Sequence, residues 1–459
     1  MWKPADINLR SPKYLSIADA LETDISCGKV VAGEQLPPQR DLADQLSVNL
    51  STISRAYRVA ENRGLISGVV GKGTFVSTDV LVNPEMIPIE KQHQKQIELG
   101  VVSPLSTLDP NLQPRLIKLS SSHNLASYSQ YTEPCGLAAH LEVGAHWANR
   151  FGLSVTPDQV IVTAGAQHAL TCAFMACFKP GSRIAIDYLS YPGIKALATM
   201  MHIRLVPIIM DEKGMIPEAL NAACKSNPVE GIYLMPGCHN PTGTAMGDKR
   251  REEIIDLITK HRLLLIEDDA YYFTSENPQP ALSSYLPDNS IFIANFSKIL
   301  FSGLRSSFVF TSQKIRAEMT RAVLNTIWMA PSLNTAILCD VINDGTIDKV
   351  IEIKMKEAKA RNIIASSVLP FQSTINPTGR FFQWYQLPKP WTAPLFEAYA
   401  HQRGVNVFCG EKFAVGNQSI GQFVRLAITS PETRQDLTVG LTILKDIIQT
   451  GYEDVEAIN

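Results

Sequence analysis

Asn295-Phe-Ser-Lys-Ile-Leu-Phe-Ser-Gly-Leu-Arg305 places a serine directly before a lysine, Lys298, and an arginine seven residues after it. Working outward, Asn240-Pro-Thr-Gly243 and Asp268-Asp-Ala-Tyr271 each close an apolar, strand-like run. From about residue 157 such runs alternate with helical stretches. Strands are expected at 160–163, 184–186, 205–209, 231–235, 263–266, 291–294 and 307–310. Apolar strands alternating with helices imply a seven-stranded, mostly parallel sheet covered on both faces, an α/β fold. Beyond about residue 335, helices and a few strands (381–387 and 423–428) predict a smaller α+β lobe over 335–459.

A chain of 459 residues exceeds one ordinary core and implies two or three domains. Its 45% hydrophobic and 19% charged residues suit a soluble globular protein, and the net charge of −2 gives the whole no basic character. No apolar run reaches the length of a membrane span, and the start Met1-Trp-Lys-Pro lacks a signal-peptide core, so a cytoplasmic protein that does not enter membranes is expected. The eight cysteines contain no C-x-x-C pair and read as reduced core residues. The nine histidines show no ligand spacing, so no structural metal is expected.

The first 78 residues have a different organisation. Ile17, Leu21 and Ile25 form a helical stripe interrupted by Gly28 and Gly33. Pro37-Pro38 opens a second helical run with Leu42, Ala43 and Leu46 inward. Ser51 can cap a third helix with Ile53, Ala56, Tyr57 and Ala60 inward, ended by Gly64. Residues 65–76 read as two short strands around a glycine-containing turn. Three helices and a hairpin make a winged helix-turn-helix over 1–78. Residues 79–97 lose periodicity, contain Pro84 and Pro88, and read as a linker to a second domain at 98–459.

In that second domain each motif has a chemical use. Gly165-Ala166-Gln167 stands between a strand and a helix, where backbone N–H groups attract a phosphate, although a tight turn looks the same. Tyr191 can stack on a pyridine ring or simply pack. Asn240 can hydrogen-bond a phenolic ring oxygen, and Tyr271 can add a second bond. Asp268 closes a buried strand and needs a partner, which a protonated pyridine nitrogen supplies. Glu267 and Asp269 are expected on the other sheet face or in solvent. Lys298 is otherwise an ordinary surface lysine, but Ser297 and Arg305 beside it can bind a phosphate dianion. Lysine for an imine, acid for the ring nitrogen, and serine with arginine for a phosphate are what pyridoxal 5'-phosphate (PLP) requires. Arg425 interrupts an apolar strand, and either a ligand carboxylate or an internal salt bridge would answer its charge.

With these residues in order, 98–459 resembles the fold-type-I PLP aminotransferases. The resemblance implies that Lys298 carries PLP, that Gly165, Ala166, Gln167, Tyr191, Asn240, Asp268, Tyr271, Ser297 and Arg305 hold it, and that Arg425 takes a carboxylate. It further implies that Tyr131 reaches the phosphate of a neighbouring subunit, which means a homodimer. Two positions depart from the family: Ser302 replaces the usual proline, and Asn295 stands where serine or glycine is usual. Residues 13–78 resemble the GntR-type winged helix through Gly33-Glu-Gln-Leu-Pro-Pro-Gln-Arg40, Thr52-Ile-Ser-Arg-Ala-Tyr57 and Gly71-Lys-Gly-Thr-Phe-Val76. The two together look like a MocR regulator, which implies binding to double-stranded DNA as a dimer with PLP or an amino compound as effector. A working aminotransferase that acts on an amino acid, with the head secondary, remains an open alternative.

Residues 1–79 hold nine Lys/Arg and nine Asp/Glu, so the head is neutral where nucleic-acid binders tend to be basic. Leu50 and Ser54 occupy positions that are often basic in the family. DNA contacts are therefore expected from few residues: Arg40, Ser51, Thr52, Arg55, Arg58 and the wing residue Lys72. Tyr57 is expected in the core.

Overall fold

A computed structural model describes residues 2–4, 12–26, 29–30, 34–62, 65–69, 73–76, 96–121, 125–369, 379–416 and 420–456. Lys72, Arg63, the glycines 28, 33, 64 and 71, and the expected linker up to residue 95 lie outside these.

Helices Lys13–Ser26, Gln39–Leu46 and Leu50–Asn62 and an antiparallel hairpin of Ile66–Val69 with Gly73–Val76 form the head. The stripes read from the sequence meet in one core: Ile17, Leu21 and Ile25 pack with Leu42, Ala43, Ile53, Ala56 and Ala60. Tyr57 belongs to that core, and its hydroxyl donates to the Pro37 carbonyl at 2.7 Å. Pro38 precedes the second helix in extended conformation, where a missing N–H costs nothing. The third helix corrects one expectation. It begins at Leu50, and Asn49 rather than Ser51 caps it: Asn49 Oδ1 accepts from both the N–H and the hydroxyl of Ser51 at 2.9 Å. Asn and Ser are comparable caps in isolation, so two residues of register decided between them.

The larger domain is built on seven strands in the order Val160–Thr163, Ser307–Thr311, Ser290–Asn295, Leu264–Asp268, Val229–Leu234, Arg183–Asp187, Arg204–Ile208. Ser307–Thr311 is antiparallel to both neighbours, and the other six share one direction. Helices cover both faces, so strands such as Val160–Thr163 are buried at every position and read as continuous apolar runs. Alternate residues still part company. Ile184, Ile186, Tyr233 and Ile266 enter one core cluster, while Ala185, Ile232, Leu234 and Leu265 enter another.

A smaller lobe carries a three-stranded antiparallel sheet, Gln383–Gln386, Phe423–Leu426 and Phe408–Cys409, packed by helices Ala393–Gln402 and Arg434–Glu456. The short strand Ile97–Glu98 pairs with Val405–Asn406, and Leu99 enters the lobe's core. The chain that leaves residues 77–95 is therefore tied at once to the small lobe. Among the described residues the seven cysteines are free, no His/Cys/Asp/Glu group has metal-ligand geometry, and no helix is long and apolar enough to cross a membrane.

Candidate functional site

Five loops converge at the carboxyl ends of the parallel strands, where open α/β sheets place their ligands. Gly165 follows Val160–Thr163, Tyr191 follows Arg183–Asp187, and Asn240 follows Val229–Leu234. Asp268 ends its own strand, and Lys298 follows Ser290–Asn295.

Asp268 is buried. Tyr233 donates to its Oδ2 at 3.0 Å, while Oδ1 is buried with no hydrogen-bond partner. Burial pushes its carboxyl up to about 7, against the pull of the Tyr233 hydroxyl. An orphaned carboxylate oxygen at a strand end costs on the order of 1–3 kcal/mol or more. A cationic N–H donor meeting Oδ1 removes that cost, so the residue fits a protonated ring nitrogen. Of the two places expected for its chain neighbours, solvent is ruled out. Glu267 and Asp269 are both buried rather than solvated. Glu267 accepts from the N–H groups of Leu282 and Ser283, and Asp269 accepts from the Gly237 N–H at 2.8 Å. Three consecutive carboxylates at a buried strand end exceed what any period-2 rule anticipates; backbone donors from separate loops hold Glu267 and Asp269, and the Tyr233 phenol holds Asp268.

Lys298 donates from Nζ to the Val102 carbonyl at 2.8 Å. Burial, then the charges of Arg425 and Arg305, bring its ammonium down to about 8. An amine in that range exists partly uncharged near neutral pH and can attack a carbonyl.

Gly165, Ser297 and Arg305 line one hollow. Gly165 has φ +85 and caps the amino end of helix Ala166–Cys177, and a Cβ there would lie 2.5 Å from Arg305 Nη2. Only glycine allows this approach. A guanidinium set against the positive end of a helix, beside a serine, makes sense when an anion lies between them. Gln167 Nε2 donates to the Gly193 carbonyl at 3.2 Å, and its Oε1 is buried without a partner. Tyr191 is partly buried over Gly193, with its hydroxyl raised by burial and by Asp268.

Arg425 is buried, and among the described residues no acid pairs with it. Nη1 donates to Asn240 Oδ1 at 2.8 Å and Nη2 to the Gly100 carbonyl at 2.5 Å, while Nε has no partner. Its guanidinium carbon lies 4.6 Å from the Phe413 ring centroid and 5.6 Å from those of Phe382 and Phe408. Burial lowers it to about 10. The internal salt bridge weighed from the sequence does not form. Tyr271 packs edge-on against Phe382, near Arg425 and Asp268.

Tyr131 stands apart, 82% exposed and tilted against Trp328. In the head, Ser51, Arg55 and Arg58 line one open hollow with Asn49, Leu50 and Ser54. Arg55 stacks 4.1 Å over Tyr14, Thr52 is half-buried, and Arg40 is exposed on the second helix. The sequence did not reveal Tyr233, the phenylalanines around Arg425, or the Gly100 and Val102 carbonyls. Tyr233 carries no local signal, because in an apolar strand it reads as one more core residue.

Residues 95–441 match the class I and II aminotransferase family, and residues 13–76 match the gntR family of bacterial regulatory proteins. YdeF of Bacillus subtilis, an uncharacterised HTH-type transcriptional regulator, is 32% identical over 97% of this chain and 96% of its own length. The pyridoxine biosynthesis regulator PdxR of Corynebacterium glutamicum is 27% identical over 65% of this chain and 66% of its own. Among solved structures, an archaeal alanine:glyoxylate aminotransferase superposes with a TM-score of 0.73 and 22% identity, covering 86% of this chain and 98% of that one. The kynurenine aminotransferase of Pyrococcus horikoshii gives 0.71 at 22% identity, covering 78% and 92%. At that identity the likeness speaks to the fold.

Proposed function

From a chain that belongs to the class I and II aminotransferase family and carries a GntR-type head, as the MocR-type regulators do, we infer a DNA-binding transcriptional regulator whose body holds PLP and senses an amino compound. The orphaned Oδ1 of Asp268 carries this reading, because a regulator that had given up the cofactor would have no use for a buried carboxylate of that kind. PLP bound here would supply a carbonyl and an electron-withdrawing ring. The chain's own residues do the rest. Asp268 holds the ring nitrogen, Ser297, Arg305 and the 165–167 loop hold the phosphate, Tyr191 faces the ring, and Asn240 with Tyr271 orients the phenolic oxygen. Lys298 presents its amine, and Arg425 orients a ligand carboxylate. Tyr131, exposed in the single chain, would complete the phosphate site of a second subunit in a homodimer. Double-stranded DNA as partner fits a cytoplasmic protein, and the reading takes the head as 1–78 and the linker as 79–97.

The route from ligand to DNA is supported by the contacts of residues 98–102. Arg425 and Lys298 both donate to carbonyls of this segment, and Glu98 Oε1 holds the N–H groups of Gly100 and Val101. A carboxylate arriving at Arg425 competes for the same guanidinium, so ligand binding acts on the segment that follows residues 77–95. Absorption titration of the purified protein with amino acids, paired with gel shift on its own upstream DNA, tests the whole reading. DNA binding that responds to an amino acid supports it. Steady amino-group transfer with no DNA binding would favour the aminotransferase alternative, which the lowered Lys298 amine makes chemically feasible.

Arg425→Ala should weaken a carboxylate-bearing effector by about 10²-fold, since truncating one member of a buried charge pair costs about 2–5 kcal/mol. PLP affinity should change little, and an unchanged effector affinity in calorimetry would return Arg425 to a structural role. In the head, Thr52→Ala should relax sequence preference, whereas Arg58→Ala should weaken all sites alike and lower the salt slope by about 1. Because the head is neutral, useful affinity should need two heads on two half-sites. A 1–79 fragment that binds one half-site as tightly as the full chain binds the whole site would refute this.

A further inference from the structure

We propose that Tyr233 is a positioning residue for Asp268: its phenol holds one carboxylate oxygen so that the other is presented to the pyridine nitrogen of PLP. The proposal rests on the PLP reading of the site.

Tyr233 lies in register with Ile266 of the adjacent parallel strand. Side chains two apart share a sheet face, so Tyr233, Ile266 and Asp268 stand on one side, and Leu265 and Glu267 on the other. From that place the phenol extends past Ile266 and donates to Asp268 Oδ2 at 3.0 Å. A phenylalanine would supply the same ring to the core, so packing alone does not account for the hydroxyl. Burying a hydroxyl is unfavourable unless it finds an acceptor, and the acceptor here is the carboxylate itself.

The bond makes the two oxygens of Asp268 inequivalent before any ligand arrives. The terminal torsion of an aspartate is broad, and without a fixed donor its oxygens exchange freely. With Oδ2 held, Oδ1 is left buried and unpartnered on the other side of the group. The bond also acts on charge. Burial and the neighbouring Asp268 push the Tyr233 hydroxyl well above its usual range, so it remains a donor. As a donor it favours ionised Asp268 against the burial that opposes ionisation. An ionised Asp268 is what keeps a ring nitrogen protonated.

A double-mutant cycle on the full-length protein tests this, read as PLP affinity by absorbance titration across pH. Tyr233→Phe should weaken PLP about 10-fold, the loss of one charge-assisted hydrogen bond. It should also move the pH dependence of PLP affinity upward. Added to Asp268→Asn, the same change should cost less than about twofold further, because the acceptor charge is already gone. Equal costs in the two backgrounds, or an unshifted pH profile, would show that the phenol acts only through core packing and would overturn the proposal. One measurement needs no variant: ¹⁵N-labelled PLP on the wild-type protein should show a protonated ring nitrogen at neutral pH. An unprotonated nitrogen overturns the proposal even if Tyr233→Phe does not fold. A wild-type chain that takes up no PLP removes the reading of the site along with it, whereas PLP uptake with additive variants removes the proposal alone.

Discussion

Lys298→Ala abolishes the visible absorption band of protein-bound PLP and the label that borohydride fixes in the wild-type chain. No neighbouring group can replace it, because the amine is placed by the loop after Ser290–Asn295 and held by the Val102 carbonyl. The lowered ammonium adds a pH dependence. Carbonyl attack needs the uncharged amine, so covalent uptake of PLP should accelerate as pH rises towards about 8 and level off above it. Peptide mapping of the reduced adduct gives the decisive reading: a label on any other lysine refutes the assignment.

Asp268→Ala should leave weak PLP binding, through the phosphate contacts, Asn240, Tyr271 and the Lys298 amine, and lower any half-transamination by about two to three orders of magnitude. The size follows from breaking a buried ion pair, about 3–5 kcal/mol, at roughly 1.4 kcal/mol per tenfold in rate. A stopped-flow half-reaction at the wild-type rate would show that the acid is misplaced. The same residue predicts a sign for stability. Its carboxyl is raised in the folded chain to about 7 from an ordinary 3.8, so the folded state holds the proton more tightly than the unfolded state. With PLP removed, stability should therefore fall as pH rises from about 4 to about 7, and Asp268→Asn should flatten part of that fall in thermal melts. Asp187, Glu267 and Asp269, also raised by burial, act in the same direction. PLP should reverse the Asp268 share by supplying a cation.

The two kinds of knowledge divide along a physical line. The head is legible from local pattern, because its helices are written in apolar spacing and its ends in proline and turn residues. So are the seven strands and their covered sheet, because a strand buried on both faces must be apolar throughout. So is the order of Gly165, Asn240, Asp268 and Lys298, since each sits where a strand gives way to a loop. These are local signals, carried by residues near one another in the chain.

Which group answers each buried charge depends on the folded chain. Arg425 could have paired with an acid, and instead it meets Asn240, 185 residues away, and Gly100, 325 away, inside a ring of phenylalanines. Tyr233 became the partner of Asp268 through strand register, Glu267 and Asp269 were accommodated by backbone donors from other loops, and Asn49 displaced Ser51 as a cap by two residues. A buried polar atom must be satisfied or held in reserve, but its partner is chosen by which loops the fold brings within 3 Å. That distance is a property of the assembled chain, and no local pattern encodes it.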